Sequence, residues 1–397
     1  MRGRVTHISP DGLSTPLGQG QVLAVTERLQ AMGWECTVLS LEPQQADEGT
    51  LHRVREQADR SGIRWQHRPY STGRVGAVKN VLSMTDMIQD VWERTDLFHC
   101  RSYFGAFFPG AASIFGGIPY VFDTRGYWVD EKIEAGRWFQ DGMSRALARR
   151  VERELYDRAS GIVCLTELAA EDVRNGRFGR RHPEDRSICI PTCVDYTRFR
   201  MERGTAPHDF LRDGPIVAYV GSLNSSYEYR KSLQLVALIL NRIPQAKFVA
   251  LTSQVEDMRS LTEEFGIPRS RYLVTSVGHE RIHRWLPWID FGLMLRVSSN
   301  QANRASMPTK LAEFFASGVA PIDHGANSEV VDWVRRTGSG LGLDDLSIES
   351  FERAAEFVAR GAPDFDVFVR ARRAAEQHFS LDSGAARYDT LFQTILS

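Results

Sequence analysis

The sequence predicts an α/β protein made of two Rossmann-like domains, and three observations carry this. Short apolar runs alternate with amphipathic ones from end to end, the pattern of βαβ units around a parallel sheet. Runs such as "VAYVG" and "GIVCLT" are apolar on both sides of the pleat, as strands buried on both faces are. At 397 residues the chain exceeds what one core organises, and its rhythm breaks once, in the polar "DYTRFRMERGTAPHDFLRDG". The expected division is a domain over 1–200, a linker over 201–214, a domain over 215–380 and a final amphipathic helix over 381–397.

In the first half the strands read as 5–9, 36–41, 63–70, 97–100, 119–123, 161–166 and 187–191. Helical patterns lie between them, among them 20–32, 76–93 and 140–159. The second half repeats the rhythm, with strands at 215–221, 246–251, 271–277, 290–295 and 319–323. Its helices are expected near 228–241, 255–265, 280–286, 308–317 and 328–336.

Composition narrows the function. The formal net charge is −1, which argues against a dedicated nucleic-acid binder. Five cysteines at irregular spacing suggest reduced thiols and a cytoplasmic protein, without a zinc site. The N-terminal "MRGRVTHISPDGLSTP" has no apolar core of a signal peptide, and no apolar run reaches the ~20 residues of a membrane span. Residues 53–79 and the arginine-rich "SRALARRVERELYDR" allow a weak peripheral contact of the first domain with an anionic membrane face, the bland alternative being solvated helix surfaces.

Ligands of open α/β sheets bind outside the carboxyl ends of the strands, so chemistry is sought in the loops that follow them. After the first strand, "SPDGLSTPLGQGQ" brings Gly18, Gln19 and Gly20 to an expected helix start near Gly20, where backbone N–H groups can face an anion. The spacing lacks the third glycine of a dinucleotide fingerprint, which disfavours a nicotinamide dehydrogenase. The loop "FDTRGYWVDE" carries Asp123 and Arg125 with aromatics, suited to a polar ring-shaped ligand or to an ion-pair cluster. In the second half Gly221 permits a tight turn, followed by Ser222 and the basic pair Arg230 and Lys231.

The sharpest signal is "NRASMPTKLAEFFASG". Lysine is rare here: only Lys79, Lys132, Lys231, Lys247 and Lys310 among 49 basic residues. Lys310 sits in the first turn of an expected helix, with Ser306 as N-cap and Pro308 near the first helical position. The helix dipole disfavours a cation there. A diphosphate drawn to the helix N-terminus, Thr309 and Lys310 offsets that cost. Glu313, one turn on, can bind a sugar diol or pair with Lys310 at i,i+3.

These residues resemble a known family. "PLGQGQVLAVTERLQAMGWECTVLSLE", "FDTRGYWVDE", "IPTCVDYTRF" and "PTKLAEFFASGVAPI" are similar, in that order, to segments of the GT-B glycosyltransferases of the family 4 type. The resemblance implies a retaining transfer of a sugar from a UDP-, GDP- or CDP-sugar to a hydroxyl acceptor such as a glycan, a lipid-linked molecule or a small molecule. It implies no metal and no cofactor, and a final helix that returns to the N-terminal domain. Glu313 would hold the ribose. Lys310, with Gly18 and Gly20, would face the diphosphate. Arg230 and Lys231 would neutralise the leaving group, and Gly278 and His279 would lie by the base. Asp123 would position the acceptor or take its proton, with Arg125 as its orienter. Two positions depart from the pattern: Ala305 stands where many members keep a glutamate, and Ser222 where many keep an arginine. The rival readings are an epimerase or phosphorylase on the same plan and a non-catalytic partner subunit.

Overall fold

The computed structural model describes residues 2–134, 136, 141–223, 227–297, 304–325 and 328–397. It divides into two compact units, Met1–Cys193 with Leu381–Ser397, and Val194–Ser380. Each is built on one parallel sheet of α/β type.

In the first unit the strands are β1 (Gly3–Ser9), β2 (Trp34–Glu42), β3 (Arg64–Pro69), β4 (Leu97–Arg101), β5 (Tyr120–Asp123), β6 (Gly161–Cys164) and β7 (Ser187–Cys189). They lie in the order β3-β2-β1-β4-β5-β6-β7. The sheet therefore grows outward in both directions from the β1/β4 pair, the topological switch point at which ligand crevices form. The parallel register sets His7 directly beside His99 across that pair. Val5, Val38, Leu97, Val121 and Val163 make one face of the core. The helix Leu381–Leu396 covers it with Tyr388, Leu391 and Phe392. The Phe392 ring meets Trp34 edge-on at 5.6 Å.

The second unit contains β8 (Ile216–Val220), β9 (Lys247–Leu251), β10 (Tyr272–Thr275), β11 (Phe291–Leu293), β12 (Ala320–His324) and β13 (Leu341–Leu343), in the order β10-β9-β8-β11-β12-β13. Its switch point lies between β8 and β11. Val217, Val236, Phe248, Phe291 and Phe351 belong to a single apolar core.

The structure differs from the sequence reading in several places. The expected linker 201–214 falls inside the second unit, which begins at Val194. Apolar anchors pull this polar-looking stretch down: Tyr196, Phe199 and Leu211 are buried, and Lys247 Nζ donates to Phe210 O at 3.0 Å. The helix expected over 280–286 is two short 3₁₀ turns, Ile282–Arg284 and Leu286–Trp288, where Pro287 removes a donor. The strand "LGL" and the helices Glu48–Arg60, Ser102–Ala112, Ile348–Arg360 and Phe365–Phe379 were not singled out from the sequence. Among the described residues, no helix is long and apolar enough to cross a membrane.

Candidate functional site

The second unit gathers the residues of its site at the carboxyl ends of the strands that flank the switch point. β8 ends at Val220, and Gly221 turns the chain with φ +127°, a conformation that side-chain-bearing residues rarely adopt. Its N–H donates to Leu251 O at 2.9 Å, and Tyr219 Oη donates to Ser222 O at 2.7 Å, so the turn is tied to the sheet. Beside it begins the helix Thr309–Ser317, which Gly318 ends in the left-handed conformation. Pro308 rather than Ser306 takes the N-cap position, and no side chain caps that end. Proline cannot cap with its side chain, so first-turn N–H groups remain for a ligand to satisfy.

Lys310 points from this helix start to the Gly221 turn. Its Nζ lies 3.6 Å from the Tyr227 ring centroid and 5.3 Å from that of Tyr219. A Cβ at Gly221 would come within 3.1 Å of the ammonium, so the glycine leaves room for it. The Nζ is buried and has no hydrogen-bond partner among the described residues. Burial pushes its pKa down to about 7; Glu313 and Asp323 pull upward and Arg296 pushes further down. The two rings lie against the cation, and among the described residues no carboxylate comes within ion-pair distance of it, so the alternative reading of an ion pair with Glu313 does not hold.

Beneath the lysine lies a self-compensated layer. Arg296, 3% exposed, meets Asp323, 0% exposed, at 3.1 Å through its NH2. Arg296 also bonds Ser328 Oγ, and its NH1 donates to Ser306 O at 3.4 Å. His324 N donates to Asp323 Oδ1 at 2.8 Å. Burial raises the Asp323 carboxyl while Arg296 opposes that rise. Arg296 thereby ties the segment before the helix start, at Ser306, to the segment after β12, at Ser328.

Glu313 is buried one turn below Lys310, and His279 Nε2 reaches its Oε1 at 3.6 Å. Gly278 O accepts from Arg281 N at 2.8 Å, which folds the loop after β10 so that His279 reaches Glu313. Gly221, Ser222, His279, Thr309, Lys310 and Glu313 thus occupy one end of the second sheet. Arg230 and Lys231 do not join them. Arg230 forks onto Glu264, with its NH1 at 3.2 Å from Oε2, and covers the Phe265 ring. Lys231 Nζ donates to Gln234 Oε1 at 3.2 Å.

The first unit corrects two expectations. The first helix starts at Pro16, not at Gly20, with Thr15 as N-cap. Gly18 lies inside it, its N–H already donated to Thr15 Oγ1 at 3.0 Å. A Cβ there would meet Gly12 O at 2.0 Å, so Gly18 serves close packing. Gln19 and Gly20 open a π-helical segment, Gln19–Leu23. Asp123 is likewise no open-loop carboxylate: it ends β5 and is wholly buried. Its Oδ2 accepts from Arg125 and, at 2.9 Å, from Tyr388 Oη, and it lies 3.3 Å from His99 Nε2. Burial alone would raise its carboxyl, but Arg125, His99 and Arg101 outweigh burial and hold it well below the usual carboxylate range. Such a carboxylate is a weak base. Arg125 adopts φ +57° and also donates to Tyr388 Oη at 2.7 Å, tying the loop to the final helix. His7 and His99, joined Nδ1 to Nδ1 at 2.7 Å, were missed from sequence, as were Tyr219, Tyr227 and Asp323.

Residues 19–185 match the family model of the glycosyl transferase 4-like domain. No curated protein matches the chain. Solved structures do. Sucrose-phosphate synthase of Thermosynechococcus elongatus is 14% identical, with a TM-score of 0.68 over 99% of this chain and 98% of that one. Anabaena HepE, solved with UDP and glucose, is 11% identical, with a TM-score of 0.68 and 97% of both chains covered. A glycosyltransferase of Rickettsia africae is 12% identical, with a TM-score of 0.70 over 100% of this chain and 99% of that one. The chain has the GT-B fold of these structures, and within it residues 19–185 match the model of the glycosyl transferase 4-like domain.

Proposed function

We propose that this protein transfers a sugar from a nucleoside-diphosphate sugar to a hydroxyl acceptor, with retention of anomeric configuration. One observation carries the reading: a buried ammonium, Lys310 Nζ, without a hydrogen-bond or ion-pair partner among the described residues, at a helix N-terminus that no side chain caps, on the carboxyl edge of the second sheet. A buried cation of this kind is costly unless an anion completes it. A diphosphate supplies the charge, and its stabilisation grows as the bond to the anomeric carbon breaks. Glu313, steadied by His279, accepts from the ribose hydroxyls. That HepE has been solved with UDP supports the choice of nucleotide. Arg230 and Lys231 can serve the leaving group only if Arg230 leaves Glu264, so Lys310 is the principal phosphate cation. The reaction needs no metal in this reading.

The test is Lys310→Ala. Turnover of the nucleotide sugar is lost and UDP binding, followed by calorimetry alongside GDP and CDP, weakens while the fold persists. A variant that turns over at the wild-type rate sinks the assignment. Nucleotide-sugar consumption with and without acceptors separates transfer from epimerisation, and a chain that binds UDP yet consumes no donor is a non-catalytic subunit.

Peripheral attachment to an anionic lipid surface belongs to the same proposal. On the helix Gly142–Arg158, Met143, Leu147 and Val151 are exposed at i, i+4 and i+8, with Arg150 and Arg153 exposed beside them. An apolar stripe flanked by arginines suits the headgroup boundary of a bilayer.

A further inference from the structure

The nearer of the two rings at Lys310 belongs to Tyr227, whose centroid lies 3.6 Å from Nζ, against 5.3 Å for Tyr219. A cation within ~6 Å of a ring centroid is drawn to the negative face of the ring. Several bonds fix the position of Tyr227. Its backbone forms an antiparallel bridge with Arg296, which is in turn paired with Asp323. The next residue, Glu228, donates its N–H to Leu295 O at 2.9 Å. Its carbonyl accepts from Ser232 N at 2.8 Å, at the start of the helix Tyr229–Arg242. Tyr219 stands on β8 and meets the Tyr227 ring edge-on, with centroids 6.5 Å apart. The sheet thus sets where both rings lie.

The charged groups that face Lys310 are Glu313 on its own helix, Asp323 at the end of β12 and Arg296 beyond β11. Among the described residues neither carboxylate is bonded to Nζ. A carboxylate in the place of the ring would hold the ammonium and cancel its charge. An aromatic face attracts the ammonium through its quadrupole and carries no net charge, so the field of the cation stays available to an anion.

We propose that Tyr227 is a positioning residue for Lys310: its ring takes the place of a counter-ion, keeping the ammonium aimed at the Gly221 turn while leaving its charge for an incoming diphosphate. Tyr219 backs the ring from the sheet. The hold of the ring on the ammonium belongs to the free protein, whereas its service to a diphosphate rests on the donor reading above. A ring that merely packed against the lysine stem would need its shape and not its electrons, and that distinction sets the test.

The test replaces Tyr227 with phenylalanine and with mono-, di- and trifluorophenylalanine in the full chain. Fluorine drains the negative face of the ring and changes its shape little, so the variants fold alike. With ¹³C-labelled lysine the chain shows only five ε-methylene signals, and Lys310→Met identifies the one from Lys310. In the free protein that signal titrates with a midpoint of about 7, which phenylalanine preserves. Each added fluorine lowers the midpoint, by about 0.5–1 pH unit over the series. UDP affinity by calorimetry, about one pH unit above the midpoint, falls about 3- to 10-fold over the same series. Uridine, which carries no phosphate, binds every variant alike. A midpoint that ignores the fluorines overturns the proposal, because the ring then serves only as packing. A midpoint that moves while UDP affinity does not follow overturns the phosphate half and the donor reading with it. The titration of the free protein tells the two failures apart.

Discussion

The two sheets bury charge at the same topological place in opposite ways. At the end of the first, Asp123 is surrounded by Arg125, His99 and Tyr388, so the charge is answered within the protein. At the end of the second, Arg296 and Asp323 pair with each other, and Lys310 lies against aromatic rings with no carboxylate bonded to it among the described residues. In the proposed reading the difference separates a frame from a binding site. A compensated cluster costs stability when it is broken. An uncompensated ammonium costs stability while it is empty.

The largest expected effect follows from that contrast. Lys310→Met keeps the length of the side chain and discards the charge. UDP affinity and donor turnover then fall by about 10²–10³-fold, the scale for losing one preorganised charge-stabilising group. The free protein keeps or raises its melting temperature, because a buried cation has been exchanged for an apolar group. Calorimetry and a melting curve on the same sample check both halves. Loss of stability with unchanged UDP binding would reverse the comparison.

Asp123→Ala breaks the other cluster. It leaves Arg125 buried without its carboxylate, and unfolding free energy drops by about 3–5 kcal/mol. UDP binding to the folded fraction is unaffected. The pH dependence has a definite sign. The Asp123 carboxyl is depressed in the fold, so its stabilisation is complete above the ordinary aspartate value of ~3.9 and fades as pH falls below it. Denaturant titrations from neutral to acid pH, repeated on the variant, show whether that slope disappears.

A smaller effect sharpens the lysine side. The Lys310 pKa is lowered to about 7 in the free protein, so at higher pH the ligand must bring a proton with it. UDP affinity falls roughly tenfold per pH unit above that point, a range that avoids the ~6 of a phosphate's second ionisation. The stability of the free protein moves the other way. The folded state holds fewer protons on Lys310 than the unfolded chain does, so stability rises with pH between about 7 and the ordinary lysine value of ~10.4. Calorimetry in buffers of different ionisation enthalpy detects the proton uptake, and Lys310→Met abolishes it. Gly221→Ala strains the turn by about 1–3 kcal/mol and crowds the ammonium, which lowers UDP affinity together with stability.

How much of this was legible in the sequence depended on whether the signal was local. Parallel strands betray themselves by double-sided apolarity, and most strand positions were read within a few residues. Lys310 and Glu313 could be singled out because a rare lysine at a helix start contradicts the dipole, a conflict visible along one stretch of chain. The His7–His99 pair was not. "VTHIS" and "LFHC" were both read as strands, but only register across β1 and β4 places the two rings together, and 92 positions separate them. Asp123 was read as an open carboxylate because burial by a helix that begins at Leu381 leaves no mark near position 123. Tyr227 holds the lysine from a loop, where no periodicity singles out a residue. Arg230 looked free for phosphate because Glu264, its partner, lies a strand and a helix away.

The smallest expected effect tests whether exposed apolar groups in the first unit have a use. Leu147 is 63% exposed and Met143 83%, far more than packing explains, and Arg150 and Arg153 flank them. Against this, Glu154 shares the face and is itself paired with Arg158 at 2.9 Å, which blunts the attraction to an anionic surface. Each arginine near such a surface contributes about 1 kcal/mol, and the apolar side chains add to it. Sedimentation with phosphatidylglycerol vesicles is therefore expected to be weak and to fade with salt. Met143→Ser with Leu147→Ser lowers it about 3- to 10-fold and leaves UDP binding alone, since that site lies in the second unit. Binding that ignores both salt and the double substitution would assign the stripe to protein contacts instead of lipid.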